Sequence, residues 1–374
     1  MTTLHEVAAM GLFRFLIPVI LCAAPNTACT AKQVPQTGLL ECVGRLSFNL
    51  PGVADVASMT ADQFLKNSEE RAFQFDDGEA AFYSYFQYGG NVAISAPLTK
   101  LEIAKLIVNQ REAFAGIQKV VATGEMTAGN SSKLNVQKLN PADSAFGWKL
   151  FNSSEVTFIA YPAVAGHAMS WMVSGTAEQG RQIEKDFSTL RLGVRPRPIN
   201  SVPAEKGVCM PYLFIRDGGD DSAGRIVAAT YRLREHPDVT IMLKDSTATG
   251  VPSNSRAEQY SAIYQSNFFW TQDYQQAKSV KSLLNGSHNK VKVAGQNAVE
   301  TMFRIERKDN SEDFGYLVVA RGDPMAAVDT PDVMMYVIQN AENAKRKGVV
   351  PLTKDAFFAM ARSISASVKH RDKK

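Results

Sequence analysis

Apolar positions along the chain recur every second residue in some stretches and every three to four in others, and the changeovers mark out its elements. Ala72-Phe73-Gln74-Phe75 and Ala81-Phe82-Tyr83-Ser84-Tyr85-Phe86 flank Asp76-Asp77-Gly78-Glu79, aromatic runs around an Asp-Gly turn that predict a hairpin. Thr99-Lys100-Leu101-Glu102 then reads as a capping box opening a helix. Leu101, Ala104, Ile107, Val108, Phe114 and Ile117 lie close to one face of it. Strands are expected at 154–161 and 167–173, and Thr176-Ala177-Glu178-Gln179 caps a helix on which Ile183, Phe187 and Leu190 share a face.

The later part of the chain repeats the plan. Ile226 to Tyr231 and Val239 to Leu243 flank the turn Glu235-His236-Pro237-Asp238. A helix is expected over 259–281, strands at 301–305, 316–320 and 333–338, and a final helix after Thr353 with Phe357, Ala361, Ile364 and Val368 on one face. Between the two parts, Arg195-Pro196-Arg197-Pro198-Ile199-Asn200-Ser201-Val202-Pro203 cannot continue a helix or a central strand. The expected organisation is therefore an N-terminal domain over 40–198, a proline-rich linker at 199–203 and a C-terminal domain over 204–374. The fold class is α+β: two domains, each an antiparallel sheet with packed helices. Internal duplication fits that plan, although residue identity between the halves is too faint to establish it.

The N-terminus changes the picture of where the chain works. Phe13, Phe15, Leu16, Ile17, Val19, Ile20 and Leu21 make an apolar core behind Arg14, followed by Ala23, Ala24, Ala28 and Ala31. With about ten apolar residues against the roughly twenty a membrane span needs, residues 1–31 read as a secretory signal, with Met1 and Met10 both available as the start. Asn26-Thr27-Ala28-Cys29 partly resembles a lipoprotein cleavage box, making Cys29 a candidate lipidation site. Cleavage after Ala31 would instead remove Cys22 and Cys29 together. Both routes leave Cys42 and Cys209 as the ordinary thiols. An even pair in an oxidising compartment favours a disulfide, with two separate buried thiols as the alternative.

Composition narrows the function classes. Hydrophobic residues at 45% supply real cores, and a net charge of +4 without aromatics interleaved among basic clusters does not suggest nucleic acid. The run Lys369-His370-Arg371-Asp372-Lys373-Lys374 is expected to be a solvated tail. No Gly-x-Ser-x-Gly elbow, phosphate-binding loop or dinucleotide fingerprint occurs, and no two histidines are spaced as a zinc pair. No catalytic residue, metal ligand or cofactor contact is assigned. Asp217-Gly218-Gly219-Asp220-Asp221 and Arg321-Gly322-Asp323 read as turns, Arg45 as a residue pinning its strand to a carboxylate, and His167 and His236 as structural. Phe268-Phe269-Trp270, with Tyr260, Tyr264 and Tyr274, packs a core or, if exposed, supplies interface anchors.

Several short motifs, in order, resemble the two-domain immunity proteins of bacterial type VI secretion systems that protect against phospholipase effectors. They are Cys42-Val43-Gly44-Arg45 running through Leu50-Pro51, Cys209-Met210-Pro211-Tyr212-Leu213-Phe214, His236-Pro237-Asp238-Val239 and Leu352-Thr353-Lys354-Asp355. The resemblance covers about residues 40 to 371. It implies a periplasmic protein, lipid-anchored if Cys29 is modified, that neutralises a cognate phospholipase by binding it, without catalysis or cofactor. It implies monomers when free, contact with a membrane only through such an anchor, and a Cys42–Cys209 bridge that fixes the angle between two domains. Partner-binding residues are not assigned. Two rival readings are a periplasmic or lipid-anchored binder of a small ligand or lipid, and an enzyme whose site carries none of the known motifs.

Overall fold

A computed structural model describes residues 38–65, 72–124, 133–139, 145–220, 222–251, 255–273 and 277–371. The signal expected at 1–31, with Cys29, lies outside the described residues. Thr37–Lys374 form one compact unit.

Its frame is an antiparallel sheet of 14 described strands. From one edge the main order is Ala277–Ser282, Gln296–Arg307, Glu312–Ala320, Asp332–Gln339, Val239–Ser246, Arg225–Leu233, Tyr85–Tyr88, Asn91–Ile94, His167–Thr176, Glu155–Val164, Ala145–Phe151 and Asn135–Lys138. The residues on either side of the proline-rich joint share this sheet. They meet where Arg225–Leu233 pairs with Tyr85–Tyr88, Val227 opposite Phe86 and Ala228 opposite Tyr85. Arg225–Leu233 is buried almost throughout, so it reads as a near-continuous apolar run rather than an alternating one.

One sheet face carries the larger core. Helix Lys354–Ser367, capped by the Thr353 hydroxyl, buries Phe357, Ala361 and Ile364 there against Tyr316, Val318, Val337 and their neighbours. On the other face a smaller core gathers Met242, Phe269, Trp270, Leu317, Tyr336 and Ile338. Helix Ala262–Phe268 and the π-helical turn Phe269–Asp273 lie over it. Gly315 makes this approach possible, because a Cβ there would lie 2.2 Å from Trp270 Cη2.

The Cys-x-Gly-Arg segment clasps the fold. Strands Leu39–Val43 and Leu46–Leu50 form a hairpin, and Cys42 is disulfide-bonded to Cys209 on strand Gly207–Met210. Gly44 and Cys209 exchange two backbone hydrogen bonds at 2.8 Å. Gly44 has φ +59°, and a Cβ there would lie 2.0 Å from Asp245 Oδ2, so glycine is required twice over. Arg45 donates to both Asp217 carboxylate oxygens at 3.2 and 2.7 Å, and its backbone N–H donates to Asp245 at 2.6 Å. Asp245 also accepts from Arg225 at 2.9 and 3.0 Å. Glu41 accepts from Arg197 at 2.6 Å. These buried charges are therefore paired and hydrogen-bonded.

Four expectations need correction. The Asp76–Glu79 turn forms, with the Phe75 N–H donating to Glu79, but its flanks make only isolated bridges through Gln74. The true hairpin is the next one, Tyr85–Tyr88 with Asn91–Ile94. Helix Lys100–Thr123 has the predicted capping box, yet it buries Leu106 and Gln110 and exposes Leu101, Ile107 and Val108. Apolar residues occupy more than one stripe of it, so periodicity does not choose the buried one. The helix expected over 259–281 stops early, because the π turn carries Phe269 and Trp270 together into the core. Beyond it, Ala277–Ser282 is a strand. Lys369–His370 is a strand beside Leu46 and Ser47 rather than a solvated tail. Arg371 donates to the carbonyls of Pro203, Glu205 and Gly207.

Candidate partner-binding groove

On the face opposite the larger core, part of the sheet is left uncovered between helix Ala262–Phe268 and the segment leading into Tyr85–Tyr88. The result is a groove of about 580 Å³. Strand pairing builds its floor. Tyr85, Ala228, Lys244 and Met334 stand opposite one another on four adjacent strands. Met242 and Ser246 flank Lys244 two residues away on its own strand and line the floor with Ile226 and Val333. Tyr264, Gln265 and Phe268 form one wall, and Tyr83 with Tyr85 the other.

The walls are aromatic and rigidly held. Tyr83 stacks on buried Phe269 at 6.0 Å and meets Tyr336 edge-on at 6.3 Å, while Tyr264 stacks on Phe268 at 6.4 Å. The Tyr85 hydroxyl donates to Asn91 Oδ1 at 2.9 Å. The rings nevertheless present area to solvent: Phe82 is 54%, Phe268 47%, Tyr85 43% and Tyr264 41% exposed. Exposed aromatics that are already ordered lose little entropy on contact, which is what protein-binding surfaces favour.

Three charged residues border the floor: Lys244, Arg321 and Asp332. Lys244 is partly buried among apolar neighbours and has no hydrogen-bond or ion-pair partner among the described residues. Burial pushes its ammonium below the ordinary lysine value, against the opposing pull of Asp332. Asp332 is engaged elsewhere, with Arg321 at 2.8 Å and the Gly322 N–H at 2.7 Å. Burial raises its carboxyl despite both contacts. The groove thus offers aromatic area, thioethers and a single uncommitted cation.

The residues singled out in the sequence fall elsewhere or divide. Cys42 and Cys209 are fully buried in their bridge. Asp217 is committed to Arg45, and Asp323 caps the short helix Pro324–Ala326. His167 stacks on Tyr212 at 4.2 Å and lies 3.0 Å from the Ser95 carbonyl through Nδ1. The aromatic cluster splits, with Phe269 and Trp270 in the core and Tyr264 and Phe268 on the groove. Lys244 was legible in principle, since Thr240, Met242, Lys244 and Ser246 form a mixed face opposite the apolar Val239, Ile241 and Leu243. Among the described residues no group of three or more His, Cys, Asp or Glu side chains can hold a metal ion. No described helix is long and apolar enough to cross a membrane.

Comparison with solved structures shows the same fold in immunity proteins. A chain of the crystal structure of the Tle4–Tli4 complex matches with TM-score 0.58 at 14% identity, over 91% of this chain and 100% of that one. The apo immunity protein TplEi of the type VI secretion system of Pseudomonas aeruginosa matches with TM-score 0.55 at 13% identity, over 90% and 98%. The same protein complexed with the "L" peptide gives 0.54 at 15%, over 90% and 100%. None of the curated proteins matches the chain in sequence. Residues 201–373, which supply three of the four floor strands and the helix of one wall, match the family model of the Tle cognate immunity protein 4 C-terminal domain. Over residues 201–373 the chain is therefore similar to the Tli-type immunity proteins, and over most of its length it shares their fold.

Proposed function

We propose that this protein neutralises a cognate type VI secretion phospholipase by binding it, and that it does so in the periplasm without chemistry of its own. The match of residues 201–373 to an immunity domain carries the reading. The buried Cys42–Cys209 disulfide supports an oxidising compartment. The aromatic groove supports recognition of a protein, because its exposed rings extend past the cavity onto the rim at Phe82. A binder whose two halves share one sheet presents a preorganised surface, and preorganisation lowers the entropic cost of association. Inhibition then requires only that the bound protein obstruct substrate entry.

The test is titration calorimetry of the purified protein with the phospholipase encoded beside its gene, with phospholipid hydrolysis followed in parallel. The reading expects one-to-one binding that abolishes hydrolysis at stoichiometric protein. Full hydrolysis in the presence of excess protein would overturn it.

A further inference from the structure

Lys244 stands in an arrangement that folding alone does not favour. A lysine on a sheet floor, opposite Ala228 and Met334 and between Met242 and Ser246, is partly desolvated and has no ion partner among the described residues. Asp332 lies diagonally across the pairing but is held by Arg321 and the Gly322 N–H. A methionine in place of Lys244 would continue the apolar floor and remove the desolvation cost. Elsewhere on the sheet the buried cations are all engaged: Arg225 by Asp245, Arg232 by Asp77 and Glu79, and Arg307 by Asp313. Lys244 departs from that pattern where the sheet is open at the groove.

We infer that the groove receives a segment of the phospholipase effector in which an apolar side chain lies beside a carboxylate, and that Lys244 determines specificity by pairing with that carboxylate. The inference rests on the effector-binding reading above and adds the chemistry of the inserted segment. Tyr83, Tyr85, Tyr264 and Phe268 enclose the apolar side chain, and the partly buried Met334 adapts to its shape. The carboxylate meets the ammonium on a floor that is already partly desolvated, so a wrong partner lacking the acid leaves the cation unpaired. Arg321 also borders the groove but is neutralised by Asp332 at 2.8 Å, so the one uncommitted cation suits one carboxylate rather than a doubly charged phosphate group. The exposed rim aromatics suit a protein segment rather than a lone acyl chain, whose contacts would end inside the cavity.

The experiment compares the wild-type protein with Lys244→Met, Lys244→Glu and Lys244→Arg, and with Lys345→Met at an exposed control site. Each is tested for binding the adjacent phospholipase, for uptake of the fluorescent fatty acid cis-parinaric acid and for thermal stability. Lys244→Met should bind the effector about thirtyfold or more weakly, Lys244→Glu more weakly still, and Lys244→Arg should recover part of the loss. The Tm of Lys244→Met should equal or exceed that of wild type, which separates a recognition role from a structural one. Wild-type affinity in both Lys244→Met and Lys244→Glu would overturn the inference and leave the effector reading standing. Lys244-dependent uptake of the fatty acid with effector binding unchanged would also overturn it, assigning the groove to a lipid anion. A wild-type protein that fails to bind the phospholipase removes the reading itself, and the inference with it.

Discussion

Removing the Cys42–Cys209 bridge should destabilise the protein strongly while leaving its native shape and partner affinity intact. The two cysteines are 167 residues apart in sequence. For a loop of that length the chain-entropy relation gives about 17 cal/mol/K, or about 5 kcal/mol at 25 °C, all of it from releasing the unfolded chain. The native side changes little, because the same junction is held by the two Gly44–Cys209 hydrogen bonds and the buried Glu41–Arg197 pair. The perturbation is the double variant Cys42→Ala/Cys209→Ala, followed by circular dichroism in urea. With a denaturant slope of about 3 kcal/mol/M, the midpoint should fall by roughly 1.5 M. A fall under about 0.5 M with an unchanged spectrum would refute the entropic reasoning. Affinity for the phospholipase, measured at low denaturant, should match wild type. A large loss there would instead support the bridge as the element that fixes the binding geometry. Both cysteines have no exposed surface, so reductant should open the bridge in the wild type only as the protein unfolds.

Other consequences follow from single contacts. Asp245→Asn strips the counter-ion from fully buried Arg225 and should cost about 3–5 kcal/mol in chemical denaturation. Gly315→Ala sets a methyl group against the Trp270 ring and should displace the π turn, seen as a changed tryptophan emission and a loss of about 1–3 kcal/mol. Burial raises the Glu300 carboxyl, but hydrogen bonds from Arg362 and Asn289 outweigh that and hold it below the ordinary glutamate value. A depressed carboxyl stabilises above its unfolded pKa and loses that contribution as pH falls through the folded one. Wild-type Tm should therefore decline on acidification below about pH 4.3, and Arg362→Ala should decline less over the same interval.

Some of this was written locally in the chain. The Thr99 and Thr353 caps were readable because capping uses residues three apart, and both helices begin where those side chains dictate. Strand 333–338 and the pair around His236-Pro237-Asp238 were readable because period two survives over enough residues. Arg45 was readable as a strand pin, although the sequence did not say that Asp217 receives it. Where a helix carries apolar residues on several stripes, as Lys100–Thr123 does, local pattern cannot choose the buried one, and packing chose Leu106 and Gln110. The run Phe268-Phe269-Trp270 shows the same division, since three adjacent aromatics cannot all face one way and the π turn decided which two went inward.

The sequence by itself determined the α+β class, most of the element types, the two persistent cysteines and the family resemblance that short ordered motifs carried. It could do so because caps, periodicity and turn chemistry act over a few residues. Only the tertiary structure decided that both halves share one sheet, that Lys369–His370 closes the Cys-x-Gly-Arg hairpin, and that a groove exists. Tyr85, Ala228, Lys244 and Met334 become neighbours solely through strand pairing between distant segments. Register is a property of the whole sheet, so the site it assembles has no signature in any one stretch of chain.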